Sequence, residues 1–126
     1  MINMTKNTPL ISIIMPSLNE EKTIGSCIKK ALSTLKQEKL EGEIIVSDNS
    51  TDNSREIARR MGAKVVIPRN KGYGNAYLKG LRHAQGRYVK KYVERELSKF
   101  FKIIDLIEGT ANEINKLDRK NLKSLK

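Results

Sequence analysis

Three short stretches rich in β-branched residues constrain the fold of this chain more than any other feature of its sequence. The first, residues 10–15, is a continuous apolar run between Pro9 and Pro16, typical of a strand buried on both faces. Two more follow at residues 43–47 and 64–68. Strands that alternate with helices through short connections predict right-handed βαβ units on a mostly parallel sheet, and therefore an α/β fold.

The helices are predicted from their start and stop signals. Asn19 precedes two acidic residues, which favours an N-cap at Asn19 and a first helix that runs to about Gln37. A second helix is expected after the polar loop 48–52, with Gly62 as its C-terminal stop. A third is expected over residues 75–85.

The chain changes character after residue 89. Between residues 90 and 126 it is basic and amphipathic, and it predicts one helix, or two helices broken at Gly109. We therefore expect an α/β domain over residues 1–89 and a helical tail over residues 90–126. The apolar positions of the tail alternate in steps of four and three: Val93, Leu97, Phe100, Ile104, Ile107, Ala111 and Ile114.

Composition limits the classes of function that remain. A net charge of +11 favours anionic partners such as nucleotide phosphates, nucleic acid or an anionic membrane surface. Cys27 is the single cysteine, which excludes an internal disulfide and a Cys-rich zinc site, and its place on an apolar stripe indicates core packing. The first apolar run is too short for a signal peptide or a membrane span. We expect a cytoplasmic protein, with the inner face of the membrane as the alternative.

Unusual polar residues follow the predicted strands, at the sheet edge where open α/β folds bind ligands. Asp48, Ser50 and Asp52 could contact a base, a ribose or a metal, although Asp and Ser are equally favoured as turn and capping residues. Lys71 and Gly72 precede a helix, which favours a phosphate, although the glycine could simply ease a tight turn.

Several common catalytic and binding motifs are missing. The sequence contains no P-loop, HExxH motif or nucleophile elbow. His83 is the single histidine, on a basic helix face, and is expected to be a surface residue. A nucleic-acid partner is not expected, because no recognised reader motif or aromatic stacking platform is present.

The start of the family 2 glycosyltransferases has a pattern that three segments of this chain resemble in order and spacing: ISIIMPSLNEEKTI, GEIIVSDNSTDNSREIARRMGAKVV and RNKGYGNAYLKGLRHAQGRYV. The resemblance covers residues 10–89 and is closest to enzymes that charge polyprenyl or dolichyl phosphate with a sugar. It implies the nucleotide-binding half of a Rossmann-like GT-A domain, with a UDP- or GDP-linked sugar as the ligand. The nucleotide-binding residues it implies are Pro16, Asn19, Glu20, Asp48, Ser50, Thr51, Asp52, Lys71 and Gly72.

One departure from the family pattern bears on catalysis. Family members continue from their equivalent of residues 87–89 into an Asp-x-Asp motif that holds Mg²⁺ or Mn²⁺. This chain instead continues with Lys90 and Lys91, and residues 90–104 contain no aspartate. No catalytic and no metal-binding residue is therefore predicted. The residues that would carry the acceptor site and the catalytic base are missing from this sequence as well. Without a metal to neutralise the leaving diphosphate, transfer should be very slow.

The sequence thus predicts a truncated family 2 glycosyltransferase-like protein that binds a nucleotide sugar weakly at most and lacks independent transfer activity. Two alternatives stay open. A partner glycosyltransferase could complete an active enzyme, or the chain could be a non-catalytic assembly module that self-associates through the tail. Either packing of the tail onto the chain's own sheet or pairing with a second copy would cover its apolar stripe. We favour packing onto the sheet, because Gly109 and Asp118 interrupt the heptad-like repeat.

Overall fold

The computed structural model describes residues 8–124, with side chains for residues 8–110, 113, 114, 116 and 117. Four strands alternate with three helices before a long fourth helix, which confirms the predicted α/β class with a C-terminal helix. The elements are β1 (Ile11–Ser17), α1 (Ile24–Gln37), β2 (Gly42–Asp48), α2 (Ser54–Arg60), β3 (Lys64–Val66), α3 (Tyr73–His83), β4 (Tyr88–Lys91), a 3₁₀ turn (Glu94–Glu96) and α4 (Leu97–Ser124).

The sheet is parallel throughout, with the strand order β3-β2-β1-β4. β1 pairs with β2 on one side, where Ser17 lies opposite Asp48, and with β4 on the other, where Ile14 lies opposite Lys91. The chain runs outward from β1 to β3 and then returns to the far side of β1. The carboxyl ends of β1 and β4 therefore form the switch point at which open α/β sheets bind ligands.

Both faces of the sheet are covered, as the apolar run of β1 requires. Ile11, Ile13 and Ile14 have no exposed surface. On one face, Ile11 and Ile13 pack against residues of α1, α2 and α4. On the other, Ile14 packs against residues of α3 and the segment that follows it. A strand buried from both sides gains roughly 1.5–3 kcal/mol for each large apolar side chain, so the central strand anchors the fold.

Helix α3 approaches the sheet closely at a glycine. A Cβ atom at Gly80 would lie 2.5 Å from Cγ2 of Ile14, nearer than side chains can pack. The end of α3 is held at the opposite, amino-terminal edge of the sheet, where the backbone N–H of Gly86 donates to Oγ of Ser12 at 2.8 Å. These contacts fix the tilt of α3 and bring its N-terminus to the carboxyl edge of the strands.

The predicted N-cap of the first helix is wrong. α1 begins at Ile24, and Asn19 lies in the preceding loop with a left-handed φ of 52°. The side chain of Asn19 instead accepts a hydrogen bond from the backbone N–H of Thr51 at 3.3 Å, so the neighbouring loop uses the group that would have capped the helix. The third helix also differs slightly from its prediction, since it begins at Tyr73 and ends at His83.

The tail forms one helix that is not broken at Gly109, and the face that it buries differs from the predicted stripe. Leu97, Phe101 and Ile104 are buried in the core beside α1, whereas Phe100 is half-buried and Ile107 is 47% exposed. The side chain of Ala111 lies outside the described residues. α4 contacts α1, and the buried residues of α4 lie in its first turns, at positions i, i+4 and i+7, which share one face of a helix with 3.6 residues per turn.

Two further observations concern the whole chain. Among residues 8–124, no helix is both long enough and apolar enough to span a membrane.

The expected domain boundary after residue 89 falls inside β4, and the division of the chain at that point stays a prediction.

We expect Ile104→Ala to lower the free energy of unfolding by about 2–4 kcal/mol, because it removes a buried side chain from the contact between α4 and α1. The matched control is Ile103→Ala on the same helix, which truncates a side chain that is 56% exposed and should cost less than about 0.5 kcal/mol. Urea unfolding, at a concentration where light scattering gives a monomer, measures both. Equal losses would contradict the packing of α4 on the core.

Candidate functional site

Two loops at the carboxyl edge of the sheet are bonded to each other. The first, residues 18–23, follows β1, and the second, residues 49–53, follows β2. The hydrogen bonds that join the first loop to the second loop and the start of α2 are Asn19 N to Ser50 Oγ (2.6 Å), Glu20 N to Ser54 Oγ (3.0 Å), Glu21 N to Asp52 Oδ2 (3.2 Å), Thr51 N to Asn19 Oδ1 (3.3 Å) and Asn53 N to Glu21 Oε2 (3.1 Å).

Asp52 organises one end of this contact. Its Oδ1 accepts hydrogen bonds from the hydroxyl of Ser54 at 2.6 Å and from the backbone N–H of Ser54 at 3.0 Å. These bonds favour the ionised carboxylate, and the hydroxyl of Ser54 is the largest cause that lowers the pKa of Asp52. Asp52 therefore serves the junction between the loops and the start of α2, although the N-cap of that helix is Asn53.

Asp48 is the last residue of β2 and has no exposed surface. Its Oδ1 accepts a hydrogen bond from the backbone N–H of Ser50 at 2.6 Å, while its buried Oδ2 has no partner among the described residues. The buried hydroxyls of Ser17 and Ser47 are also unpartnered there. A buried acceptor without a donor costs about 1–3 kcal/mol, so this end of β1 and β2 has hydrogen-bonding capacity that the described chain leaves unused.

A small cleft lies beside these residues on the β3 side. It has a volume of about 90 Å³ and is called the β3-side cleft below. Its lining includes Ser17, which is the register partner of Asp48, and Asn49, which follows Asp48 in the chain. Lys71 and Gly72 line the opposite wall, where Gly72 has a φ of 110° and precedes the first residue of α3. One lysine and a helix N-terminus therefore border the cleft, together with Ser17, Asn49 and the apolar residues Leu18, Pro68 and Ala76.

A larger cavity of about 280 Å³ lies at the ends of β1 and β4 and is called the β4-side cavity. Tyr73 lines both spaces, and its hydroxyl donates a hydrogen bond to Oε1 of Glu20 at 3.2 Å. The negative charge of Glu20 raises the pKa of Tyr73. The cavity is lined by Met15, Pro16, Glu20, Ile24, Cys27, Tyr73, Lys91 and Tyr92.

The residues around the end of β4 do not suit a divalent cation. Lys90, Lys91 and Tyr92 occupy this position, and the hard cations Mg²⁺ and Mn²⁺ prefer carboxylate and carbonyl oxygens. Within the described part of the chain, no group of three or more His, Cys, Asp or Glu side chains could hold a metal ion.

The structure places the predicted site residues along one edge of the sheet, in two different environments. Pro16, Glu20, Lys71 and Gly72 line the two cavities. Asn19, Ser50 and Asp52 hold the loops together, while Asp48 is buried next to two lining residues of the β3-side cleft, its register partner Ser17 and its chain neighbour Asn49. His83 is exposed, as predicted.

Sequence reasoning missed three residues of this edge. Ser17 and Tyr73 are cavity-lining residues that lie beside predicted ones, and Tyr73 stands between two glycines at the start of α3. Cys27 packs against the core as predicted, but it also lines the β4-side cavity. A solitary aromatic residue in a glycine-rich loop was the available signal for Tyr73.

We expect the stability conferred by Asp52 to depend on pH. The folded pKa lies below the value of about 3.9 in an unfolded chain, so the contribution is complete above pH 4 and is lost as the pH falls through the folded pKa. The difference in melting temperature between the wild type and Asp52→Asn should therefore be largest at neutral pH and vanish in acid. Asp105→Asn, at an exposed position on α4, is the charge control. A constant difference between pH 7 and pH 2 would contradict the assignment.

Comparison with known proteins adds to this geometry. The family model for glycosyl transferase family 2 matches residues 12–90. The low-salt glycan biosynthesis hexosyltransferase of Haloferax volcanii is 43% identical over 81 residues, which make up 64% of this chain and 20% of that protein. The undecaprenyl-phosphate 4-deoxy-4-formamido-L-arabinose transferase of Edwardsiella ictaluri is 30% identical over 92 residues, or 67% of this chain and 28% of that protein.

A solved structure resembles the fold. Glucosyl-3-phosphoglycerate synthase from Mycobacterium tuberculosis, in complex with Mn²⁺, uridine diphosphate and glucosyl-3-phosphoglycerate, matches with a TM-score of 0.53 and 32% identity, over 70% of this chain and 35% of that one. The chain thus spans about a fifth to a third of the length of these relatives. Because the family pattern covers more than half of its residues, the chain belongs to glycosyl transferase family 2.

Proposed function

We propose that this chain binds the nucleotide part of a UDP- or GDP-linked sugar at the carboxyl edge of its sheet, weakly, and does not transfer the sugar by itself. Membership of the family supports the ligand class. A relative of this family was solved with uridine diphosphate and Mn²⁺, which supports a nucleoside diphosphate as the first ligand to test.

The observation that carries the proposal is the buried carboxylate of Asp48 with one unpartnered oxygen. The imide N–H of uracil, or the corresponding N–H of guanine, is a donor that a carboxylate oxygen accepts well, and a bond to a charged acceptor contributes about 1.5–3 kcal/mol. Asp48 does not itself line the β3-side cleft, but its register partner Ser17 and its chain neighbour Asn49 both do. A base in this cleft would use the acceptor that the folded chain leaves free.

Two features account for weak binding. Asn19, Ser50 and Asp52, which the family pattern assigns to the nucleotide pocket, are already occupied by bonds between the two loops. In addition, the β3-side cleft is small, at about 90 Å³. A ligand must therefore displace the side chains around the cleft to enter it, which reduces affinity by the cost of that rearrangement.

The proposed lack of independent transfer follows from the residues at the end of β4. Departure of a nucleoside diphosphate requires neutralisation of the negative charge that develops on it, which a divalent cation supplies in this family. The family pattern continues from this strand into metal-binding carboxylates, whereas this chain continues with Lys90 and Lys91 and has no aspartate between them and Asp105. A partner glycosyltransferase that provides these groups is the alternative under which the chain takes part in catalysis.

We expect isothermal titration calorimetry to detect weak binding of UDP, UDP-glucose or GDP-mannose that changes little when Mn²⁺ replaces EDTA. Asp48→Asn preserves size but removes the charged acceptor, so it should weaken the binding roughly tenfold or more. His83→Ala, at an exposed residue outside both cavities, is the control and should leave the affinity unchanged. A strong requirement for Mn²⁺, or an Asp48→Asn variant with wild-type affinity, would refute the proposal.

Assembly is a second candidate function, favoured by a separate observation on α4. Five large aliphatic residues of this helix are between 47% and 72% exposed and recur in steps of three, four and seven, which places them on one side: Ile103, Leu106, Ile107, Ile114 and Leu117. This side differs from the one that packs on the core. A contiguous exposed apolar surface of this kind commonly marks an interaction site.

On this second proposal, we expect light scattering at high protein concentration to give the mass of a dimer. Leu106→Asp and Ile114→Asp place charges in the exposed stripe and should yield folded monomers, because neither side chain contributes to the core of one chain. Circular dichroism checks that the variants stay folded. A wild-type chain that is monomeric at every concentration would exclude self-association through α4.

A further inference from the structure

The end of β4 combines basic residues with a cavity, and the two neighbouring lysines lie in different environments. Lys90 is bonded to Glu96, with 2.6 Å between Nζ and Oε1, and its side chain is 26% exposed. Lys91 is exposed and lines the β4-side cavity, and its ammonium has no hydrogen bond or ion pair within residues 8–124. The ammonium of Lys90 is therefore paired with the 3₁₀ turn that precedes α4, while the ammonium of Lys91 is available to bind an anion.

Tyr92, a neutral hydrogen-bond donor, lines the same cavity as Lys91. The hydroxyl of Tyr92 is buried and has no partner among the described residues. Burial, followed by the adjacent Cys27 thiol, raises the pKa of Tyr92, so the phenol keeps its proton and can donate it in a hydrogen bond. The carboxylate of Glu20 opposes an anion in this cavity, but one of its oxygens is held by the hydroxyl of Tyr73.

The position of Lys91 relative to Asp48 suits an elongated ligand. Lys91 and Asp48 lie on strands that flank β1, about 10 Å apart across the sheet at roughly 5 Å per strand. Their register partners, Ile14 and Ser17, set Lys91 about 10 Å further back along the strand direction. A nucleoside diphosphate with its base near Asp48 would run past the end of β1 toward the β4-side cavity.

We propose that the ammonium of Lys91 binds the diphosphate of the nucleotide in the β4-side cavity and supplies the positive charge that a divalent cation would otherwise supply there. This inference rests on the proposed nucleotide binding and adds the residue, the cavity and the origin of the charge. An ammonium lacks the fixed coordination geometry of a metal ion, so it holds the diphosphate without being expected to restore transfer.

The test compares uridine, UMP and UDP by isothermal titration calorimetry in EDTA at low salt. In the wild type, UDP should bind roughly tenfold or more tightly than uridine, and the advantage should shrink as NaCl is added, because salt screens the ion pair. Lys91→Ala and Lys91→Gln should lower the affinity for UDP toward that for uridine, and Lys91→Arg should retain most of it. Lys102→Ala, which removes the same charge from an exposed position on α4, should change the affinity less than about twofold.

The outcomes separate this inference from the function on which it rests. If neither uridine nor UDP binds, the proposed nucleotide binding fails and the inference fails with it. If both bind equally, or if Lys91→Ala and Lys91→Gln bind UDP as tightly as the wild type, nucleotide binding stands and the role of Lys91 is refuted. A tenfold gain in UDP affinity on adding Mn²⁺ to the wild type would also refute it, because a metal would then supply the charge.

Discussion

The burial of β1 on both faces is the constraint on which the rest of the structure depends. Ile11, Ile13 and Ile14 are fully buried, and a strand without a solvent face needs helices on both sides of its sheet. The connections that deliver those helices are right-handed and leave the sheet at its carboxyl edge. The same edge therefore gathers the loops after each strand, and the candidate site is a consequence of how the central strand is covered.

The parts of the fold that depend on local composition could be predicted from the sequence. β1, β2 and β3 follow from their runs of isoleucine and valine, whereas β4 has no such run, and Gly62, with a φ of 92°, ends α2 as expected. The start of α1 could not be predicted in this way. Asn19 has the sequence context of an N-cap, but its hydrogen-bonding groups are taken by Ser50 and Thr51, about thirty residues further along the chain. An N-cap contributes only about 1 kcal/mol, and the two hydrogen bonds that join Asn19 to the loop after β2 outweigh it here.

The candidate site also has some features that the sequence predicts and others that it does not. Positions past the ends of strands could be read from sequence, because parallel strands bring their carboxyl ends to one edge, and Pro16, Glu20 and Lys71 do line cavities there. The separation into two cavities could not be predicted, because it depends on where the ring of Tyr73 lies once α3 is seated on the sheet. The position of α3 on the sheet is set by the close approach of Gly80 to Ile14, which is a packing contact between residues far apart in the chain.

The lysines at the end of β4 affect both the path of the chain and the chemistry of this edge, and the strengths of the contacts around them indicate which contact dominates. Lys90 pairs with Glu96 and Lys30 pairs with Glu94, so two ion pairs hold the segment that leads into α4. Solvent screening weakens such exposed ion pairs, whereas burial of Leu97, Phe101 and Ile104 contributes roughly 1.5–3 kcal/mol per side chain. The apolar contact therefore contributes most of the stability with which α4 packs on the core, and the ion pairs mainly set the direction in which the chain enters α4. Once α4 lies against α1, the segment after β4 leads into a helix, and Lys91 lines the β4-side cavity, where its ammonium has no hydrogen bond or ion pair among the described side chains.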